Sequence, residues 1–326
     1  MNKTLKFLTA VLKTAILPVA IYLVFKLIRP ESFGSLDALY IISQQAMVTS
    51  IISLGLCCNM TIGIWDFSPG SIVTLVGLMC GHVAIATGSF PLMVLTAVLL
   101  GVLIGLINAT VYTVLRVPSV VVTVGLLLIY ESFSATFRNG IGVSIPKQMA
   151  VLGTSPYIFI VTGIMLAIMY IIFNKTKLGF SVRALGNNEI IAKSAGINPR
   201  KIKFITFTIA GIFFGIAGLI SLSYGTALSP AKNMGTMSVT FDALMAVFIA
   251  IYLSGICNRV IGVIIGNFCM KLVSAGLVAI GVDGTWQKVI IGIFLLFFIG
   301  FTQIQAQVTA WVARAKERRA KKHTTT

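Results

Sequence analysis

Stretches of about 20 consecutive apolar residues recur from one end of this chain to the other, each long enough at 1.5 Å rise per residue to cross a hydrocarbon core of about 30 Å. Taken in order they fall at 10–28, 37–57, 70–88, 92–115, 118–137, 155–173, 203–226, 238–256, 260–280 and 286–307. With 57% hydrophobic and only 10% charged residues, little is left over to build a water-facing surface. Peptide groups inside a bilayer must bond within their own segment or around a closed barrel, and no period-two alternation points to a barrel. The expected fold is all-α: one polytopic membrane domain over 1–326 with about ten transmembrane helices.

Charge gives the expected orientation. With the N-terminus in the cytoplasm, 18 of the 25 Lys and Arg lie on the inner side. They include seven from Lys175 to Lys203 and six from Arg314 to Lys322, so both termini are expected inside. Residues 308–326 read as a basic cytoplasmic tail, and 174–203 as a cytoplasmic loop. The formal net charge of +17 follows from this topology and from attraction to anionic lipid headgroups, so membrane lipids rather than nucleic acid are the expected partners. Lys3 and Lys6 precede an apolar stretch that lacks a small-residue cleavage pattern and ends at Arg29-Pro30, so it reads as a retained span.

Gly101-Val-Leu-Ile-Gly105 resembles Gly262-Val-Ile-Ile-Gly266, and Val122-Thr-Val-Gly125 with its apolar tail resembles Val289-Ile-Ile-Gly292 with its own. The paired spans are five apart, an odd number, so a duplication would make an inverted repeat. Small residues spaced four apart also recur wherever helix backbones approach closely, and Gly211-Ile-Phe-Phe-Gly215 has no counterpart.

The eight acidic residues and two histidines form no catalytic grouping. A proton-coupled carrier would need an ionisable residue well inside the bilayer, for which Glu131, past the middle of the fifth span, and His82, in the third, are the candidates; a satisfied structural group would also fit either position. No G-x-x-x-x-G-K-[ST] sequence is present, so nucleotide phosphates are not cradled by that device. Cys57, Cys58, Cys80, Cys257 and Cys269 lack metal-ligand spacing and read as packing residues.

Two segments interrupt the apolar pattern. In Gly63-Ile-Trp-Asp66-Phe-Ser68-Pro-Gly70-Ser71, Pro69 and Gly70 break helix between the second and third spans. Asp66 or Ser68 is expected to cap the helix that starts near Ser71, or to form one wall of a pathway. The other segment is the polar island 183–203, where a short helix is expected from Asn188 to Ala195. Asn187 or Asn188 would start it and Gly196 would end it. So short a helix needs outside support, either from a partner at Ile190 and Ile191 or from lipid headgroups beside Lys193, Arg200, Lys201 and Lys203.

Arg183-Ala-Leu-Gly-Asn-Asn-Glu189, with Ala192, Ser194 and Gly196-Ile197, resembles the cytoplasmic loop of the ribose-type permeases of bacterial ABC importers. The segment Asp66 to Ser71 is similar to that family's I-D-L-S-V-G-S, Val117-Pro118 through Gly125 to its V-P-P-F-I-A-T-L-G, and Trp286-Gln287 through Gly292 to its W-Q-x-V-x-x-G; the likeness covers about residues 40–300. Where the family has a glycine-rich G-G-T-S-x-x-G-G, this chain has Ala250 through Arg259, and Trp65 stands where Ile is usual.

The resemblance implies a type II-like importer permease in the bacterial inner membrane. Its partners would be two ATPase subunits, a second permease subunit that is either a copy or a paralogue, and an extracytoplasmic solute-binding protein. ATP and magnesium would be held by the ATPase, leaving this chain no cofactor and no enzymatic role of its own. The implied coupling residues are Gly186, Asn187, Asn188, Glu189, Ile190, Ile191, Ala192, Lys193, Ser194, Gly196 and Ile197. The candidate pathway residues are Asp66, Ser68, Thr123, Glu131 and Asn267. The expected function is ATP-driven uptake of a small hydroxylated solute such as a monosaccharide; the rivals are an ion-coupled carrier without an ATPase and a non-transporting membrane anchor.

Overall fold

The computed structural model describes residues 3–31 and 33–284, with side chains from Thr14 onward, and seven single positions between 286 and 296. Eleven α-helices lie among the described residues: α1 (Lys3–Ile28), α2 (Leu36–Thr61), α3 (Pro69–Thr87), α4 (Phe90–Leu115), α5 (Ser119–Thr136), α6 (Tyr157–Lys175), α7 (Lys177–Asn187), α8 (Glu189–Ser194), α9 (Pro199–Gly225), α10 (Met237–Leu253) and α11 (Arg259–Ala279). Seven are long and apolar enough to cross a membrane. The apolar part of α1, Thr14–Ile28, and the 17 residues of α10 are shorter, yet 17 residues still reach about 25 Å. Nine of the ten expected spans therefore correspond to an apolar helix. The tenth, 286–307, lies outside the described residues except for single positions, and the tail 308–326 lies wholly outside them. The chain divides after Gly281. In the second unit Gln287 turns back on itself, its N–H donating to Asp283 O at 3.1 Å and its Nε2 to Val282 O at 3.1 Å.

Helix α9 is central, packing against α4, α2 and α3, while α10 and α11 pair with each other and with α2. Two-thirds of α2 and α9 is buried but only 28% of α4 and α6, which present Leu95, Leu99, Leu103, Ile160 and Ile164 outward. Lipid accepts these side chains as readily as a protein interior does, so the buried faces are marked by small residues instead.

The glycines show this directly. A Cβ on Gly211 would lie 2.4 Å from Gly105 Cα, and one on Gly215 would lie 2.8 Å from Gly101 Cα, so α4 and α9 cross backbone to backbone. A Cβ on Gly266 would lie 2.4 Å from Ala246 O of α10. The two similar glycine motifs thus meet different kinds of partner, glycine on α9 and alanine on α10. Packing accounts for each motif by itself, and the contacts add no support for an inverted repeat.

At one end of the bundle a two-stranded antiparallel sheet joins β1 (Val143–Ser144) to β2 (Ala227–Leu228). At the other end lie α7 and α8, one of which the island reading missed. Helix α7, beginning where Thr176 Oγ1 caps Gly179 N, precedes the expected short helix. Helix α9 also begins earlier than the expected span, at Pro199, because Asn198 Oδ1 accepts from Arg200 N and Lys201 N.

Replacing Gly211 by Leu is expected to force α4 and α9 apart at a cost of about 3 kcal/mol or more, read as a lowered melting midpoint in detergent. Gly125, where a Cβ would meet nothing within 4 Å, is expected to accept Ala with no loss.

Candidate functional site: a polar break between helices and an anchored helix pair

Between α2 and α3 the chain runs without helix from Ile62 to Ser68, surrounded by α4, α5 and α10. In a bilayer its backbone groups have no water to turn to, and side chains from distant helices meet them. Ser119 Oγ accepts from Trp65 N at 3.0 Å and Thr123 Oγ1 from Phe67 N at 3.1 Å. Thr123 donates in turn to Trp65 O at 3.2 Å. Thr240 Oγ1 accepts from Gly70 N at 2.9 Å and donates to Phe67 O at 3.4 Å. Asp66 Oδ1 takes both the N–H and the hydroxyl of Ser68, at 3.0 and 2.6 Å, and Asn108 Nδ2 donates to Ser68 Oγ at 2.9 Å. Tyr130 closes the chain by donating to Asn108 Oδ1 at 2.6 Å.

The expected local cap of α3 is therefore corrected: Ser68 makes no side-chain cap bond, and the first helical N–H group to find a side chain does so on α10, 170 residues away. Pro69 occupies the first turn, where its missing N–H costs nothing, and Gly70 is required by closeness, since a Cβ there would lie 2.1 Å from Thr236 O.

The five candidate pathway residues are all buried and divide into three places. Asp66, Ser68 and Thr123 belong to the break just described. Glu131, further along α5, accepts from Met234 N (2.7 Å), Thr236 N (3.0 Å) and Thr236 Oγ1 (2.9 Å). It thus holds the entry to α10, where Asn233 and Met234 both have left-handed backbone. Asn267 on α11 donates to Val263 O and accepts from Ser53 of α2 at 3.2 Å, tying α11 to α2. His82 Nε2 sits 3.4 Å from Ile141 O, its ring edge-on to Phe137. Beside the break, half-buried Trp65 and Phe67 stack on each other and meet Phe248 and Phe241 of α10. Asp242 and Lys271 pair at 2.9 Å between α10 and α11. Sequence reading missed Ser119, Asn108, Tyr130 and Thr240, whose only signal is a polar side chain on an apolar helix.

The island is built differently. Helix α8 is short, but its start is doubly capped, Asn188 Oδ1 accepting from Ile190 N at 2.9 Å and Ile191 N at 3.1 Å. Its end is closed by Gly196 with φ +83° and by Ile197 N donating to Ala192 O. Ala192 faces inward at 3% exposure; Ile190 and Ile191 face away at 77% and 67%. Ser194 Oγ returns to Ile190 O within the helix. Glu189 pairs with Lys193 at 3.0 Å and with Lys203 of α9 at 3.3 Å. The Lys193 hydrogen bond, ahead of the charge of Lys203, holds its carboxyl below the usual carboxylate range.

Anchoring continues through α7. A Cβ on Gly186 would lie 2.1 Å from Thr61 O, so α7 rests directly on the end of α2; Asn187 closes α7 beside it. Arg183 bonds Phe173 O at the end of α6 and lies over the Phe173 ring, as does Arg259 of α11. Arg259 also donates to Thr61 Oγ1 at 2.9 Å. The pair α7–α8 is thereby fixed to the ends of α2, α6 and α9.

Thr240→Val keeps the shape of the side chain but strands the N–H of Gly70 and the C=O of Phe67, at about 1–3 kcal/mol for each buried group. A fall in melting midpoint clearly larger than that of Thr208→Val, which loses only a bond to its own helix, is the expected outcome.

The family model described as the permease component of branched-chain amino acid transport systems matches residues 38–299. Among curated relatives, the ribose import permease of Escherichia coli K12 is 25% identical over 82% of this chain and 86% of its own length. The galactose/methyl galactoside import permease of the same strain is 26% identical over 85% and 89%. The autoinducer 2 import system permease of Photorhabdus luminescens is 26% identical over 83% of each chain. No solved structure matches the chain. With the matched region taking in the polar break, the island and most of the apolar helices, the chain belongs to the family of transport-system permease components.

Proposed function

We propose that this chain is the membrane-spanning subunit of an ATP-driven importer, taking a small hydroxylated solute of the monosaccharide kind from an extracytoplasmic binding protein. The relatives named for ribose, galactose and autoinducer 2 import support that solute class over branched-chain amino acids. In this reading the α8 end is cytoplasmic, both termini lie on that side, 286–307 forms the tenth span, and a second permease subunit completes the passage. The observation that carries the proposal is the exposed Ile190–Ile191 pair on a doubly capped helix fastened to three spans. An apolar pair so exposed outside the lipid fits a protein partner, and burying two isoleucines contributes about 3–6 kcal/mol before association costs.

The mechanism follows from stiffness. Force applied by an ATPase at Ile190 and Ile191 passes along α8 to Asn188, through α7 to Gly186 on the end of α2, through Arg183 to α6, and through Glu189 to α9. Helix α2 leads straight into the polar break at Asp66, Ser68 and Thr123, so the break is where displacement of α2 is converted into rearrangement against α5 and α10. Asn267, which bonds α2, and Glu131, which holds the entry of α10, then mark the parts of the pathway wall that move together. Affinity for the solute resides in the binding protein, and the passage needs only weak contacts.

Reconstituted with its ATPase and binding protein, the Ile190→Asp/Ile191→Asp variant is expected to lose at least about tenfold in ATP-dependent ribose or galactose uptake while inserting and melting like the parent chain. Unchanged uptake in that variant contradicts the lever role. Uptake that persists without any ATPase favours an ion-coupled carrier, and leucine competing for the binding protein where ribose does not reassigns the solute.

The acid behaviour of α8 has a definite sign. Since the folded pKa of Glu189 lies below its ordinary 4.5, its pairs with Lys193 and Lys203 contribute stability above that value and lose it as pH falls through the folded pKa. Amide exchange in α8, corrected for the intrinsic pH dependence of exchange, is expected to keep constant protection between about pH 5 and 8 and to lose it on further acidification, with Glu189→Gln abolishing the step.

A further inference from the structure

A groove of about 680 Å³ opens between the last turn of α4 and the α8–α9 junction, lined among others by Tyr112, Arg116, Glu189, Lys193, Arg200 and Lys203. Four cations face one carboxylate. Glu189 is already shared by Lys193 and Lys203. Arg116 and Arg200 make no ion pair and no side-chain hydrogen bond among the described residues. The groove therefore keeps an unbalanced positive charge and two free guanidinium forks, the group best shaped to hold a phosphate through paired N–H donors.

What adjoins the groove decides the kind of phosphate. Helix α4 ends at Leu115 and α5 begins at Ser119, so the groove sits at the level where spans leave the membrane. In the chain on either side of Arg116, Val114, Leu115, Val117, Val120 and Val121 are 68, 56, 39, 41 and 63% exposed, and Val117 itself lines the groove, so exposed apolar side chains adjoin the charged cavity. A basic cavity adjoined by exposed apolar side chains matches a headgroup phosphate with its acyl chains attached. We propose that this groove is a binding site for one anionic glycerophospholipid, its headgroup phosphate held by Arg116 and Arg200 and its chains lying along Val114, Leu115 and Val121.

The placement has a mechanical consequence. Around α8, Glu189 and Lys193 turn to the groove, Ala192 faces the membrane domain, and Ile190 and Ile191 point away. The lipid and a protein partner on Ile190 and Ile191 therefore occupy different faces of the same helix, and the lipid braces α8 and α9 against α4 from beneath. The site does not depend on which side of the membrane the groove faces, so it stands or falls apart from the importer reading.

The test uses the full chain purified in mild detergent and mixed with dioleoyl phosphatidylglycerol or dioleoyl phosphatidylcholine, with lipid retained per chain counted by native mass spectrometry. Retention of about one phosphatidylglycerol per chain in preference to phosphatidylcholine is expected. In the Arg116→Gln/Arg200→Gln double variant, affinity is expected to fall on the order of thirtyfold, from about 1 kcal/mol for each cation removed. Arg116→Lys/Arg200→Lys, which restores charge without the fork, is expected to recover part of it, and melting midpoints close to the parent's show that the variants fold. Equal retention of the two lipids overturns the proposal. So does undiminished phosphatidylglycerol retention in the double glutamine variant, which would assign binding to the dispersed basic surface. Displacement of the lipid by millimolar glycerol 3-phosphate or inorganic phosphate as readily as by phosphatidylglycerol also overturns it, pointing to a soluble phosphate as the occupant.

Discussion

Everything in this subunit is arranged around the requirement that a peptide group away from water find a protein partner. Nine apolar helices satisfy it internally. Between α2 and α3 the chain departs from helix, from Ile62 to Ser68, and there the obligation passes to Ser119, Thr123 and Thr240, hydroxyls on two other helices. One irregular segment thus fixes the relative positions of α3, α5 and α10, and through Asn108 and Tyr130 that of α4 as well.

A network of this kind links parts of the chain that are far apart in sequence. The bonds to Ser119, Thr123 and Thr240 join elements 54, 56 and 170 residues apart in sequence, so moving one helix changes several partners at once. The anchored pair α7–α8 touches the membrane domain at the ends of α2, α6 and α9, and α2 is the helix that leads into the break. Backbone-to-backbone contact at Gly105 and Gly211 leaves no room between α4 and α9 for even a methyl group, in contrast to the side-chain bonds that join the polar side of the bundle.

Much of this was legible from residues alone. Apolar length located eight helices to within four residues at each end and α1 at its C-terminal end, because crossing a bilayer is a demand on composition that neighbours cannot override. Asn188 and Gly196 announced the ends of α8, since side-chain capping and left-handed backbone are local chemistry. Helix α7 escaped because Lys177 to Asn187 mixes polar and apolar residues without the length of a span, and its stability comes from contacts with Thr61 and Phe173, which lie on α2 and α6. The local cap expected at Asp66 or Ser68 failed for a related reason: Thr240 offers a better-placed acceptor to Gly70, and only folding brings it there.

By itself the sequence determined the class of protein, nine apolar helices and the chemical character of its polar island, because hydropathy and capping act within a few turns of chain. Which helices pair and which hydroxyl meets which orphan N–H were decided only by tertiary structure. In a bundle whose inward and outward faces are equally apolar, those choices rest on close approach and hydrogen-bond geometry between distant residues, and linear order carries almost no record of either.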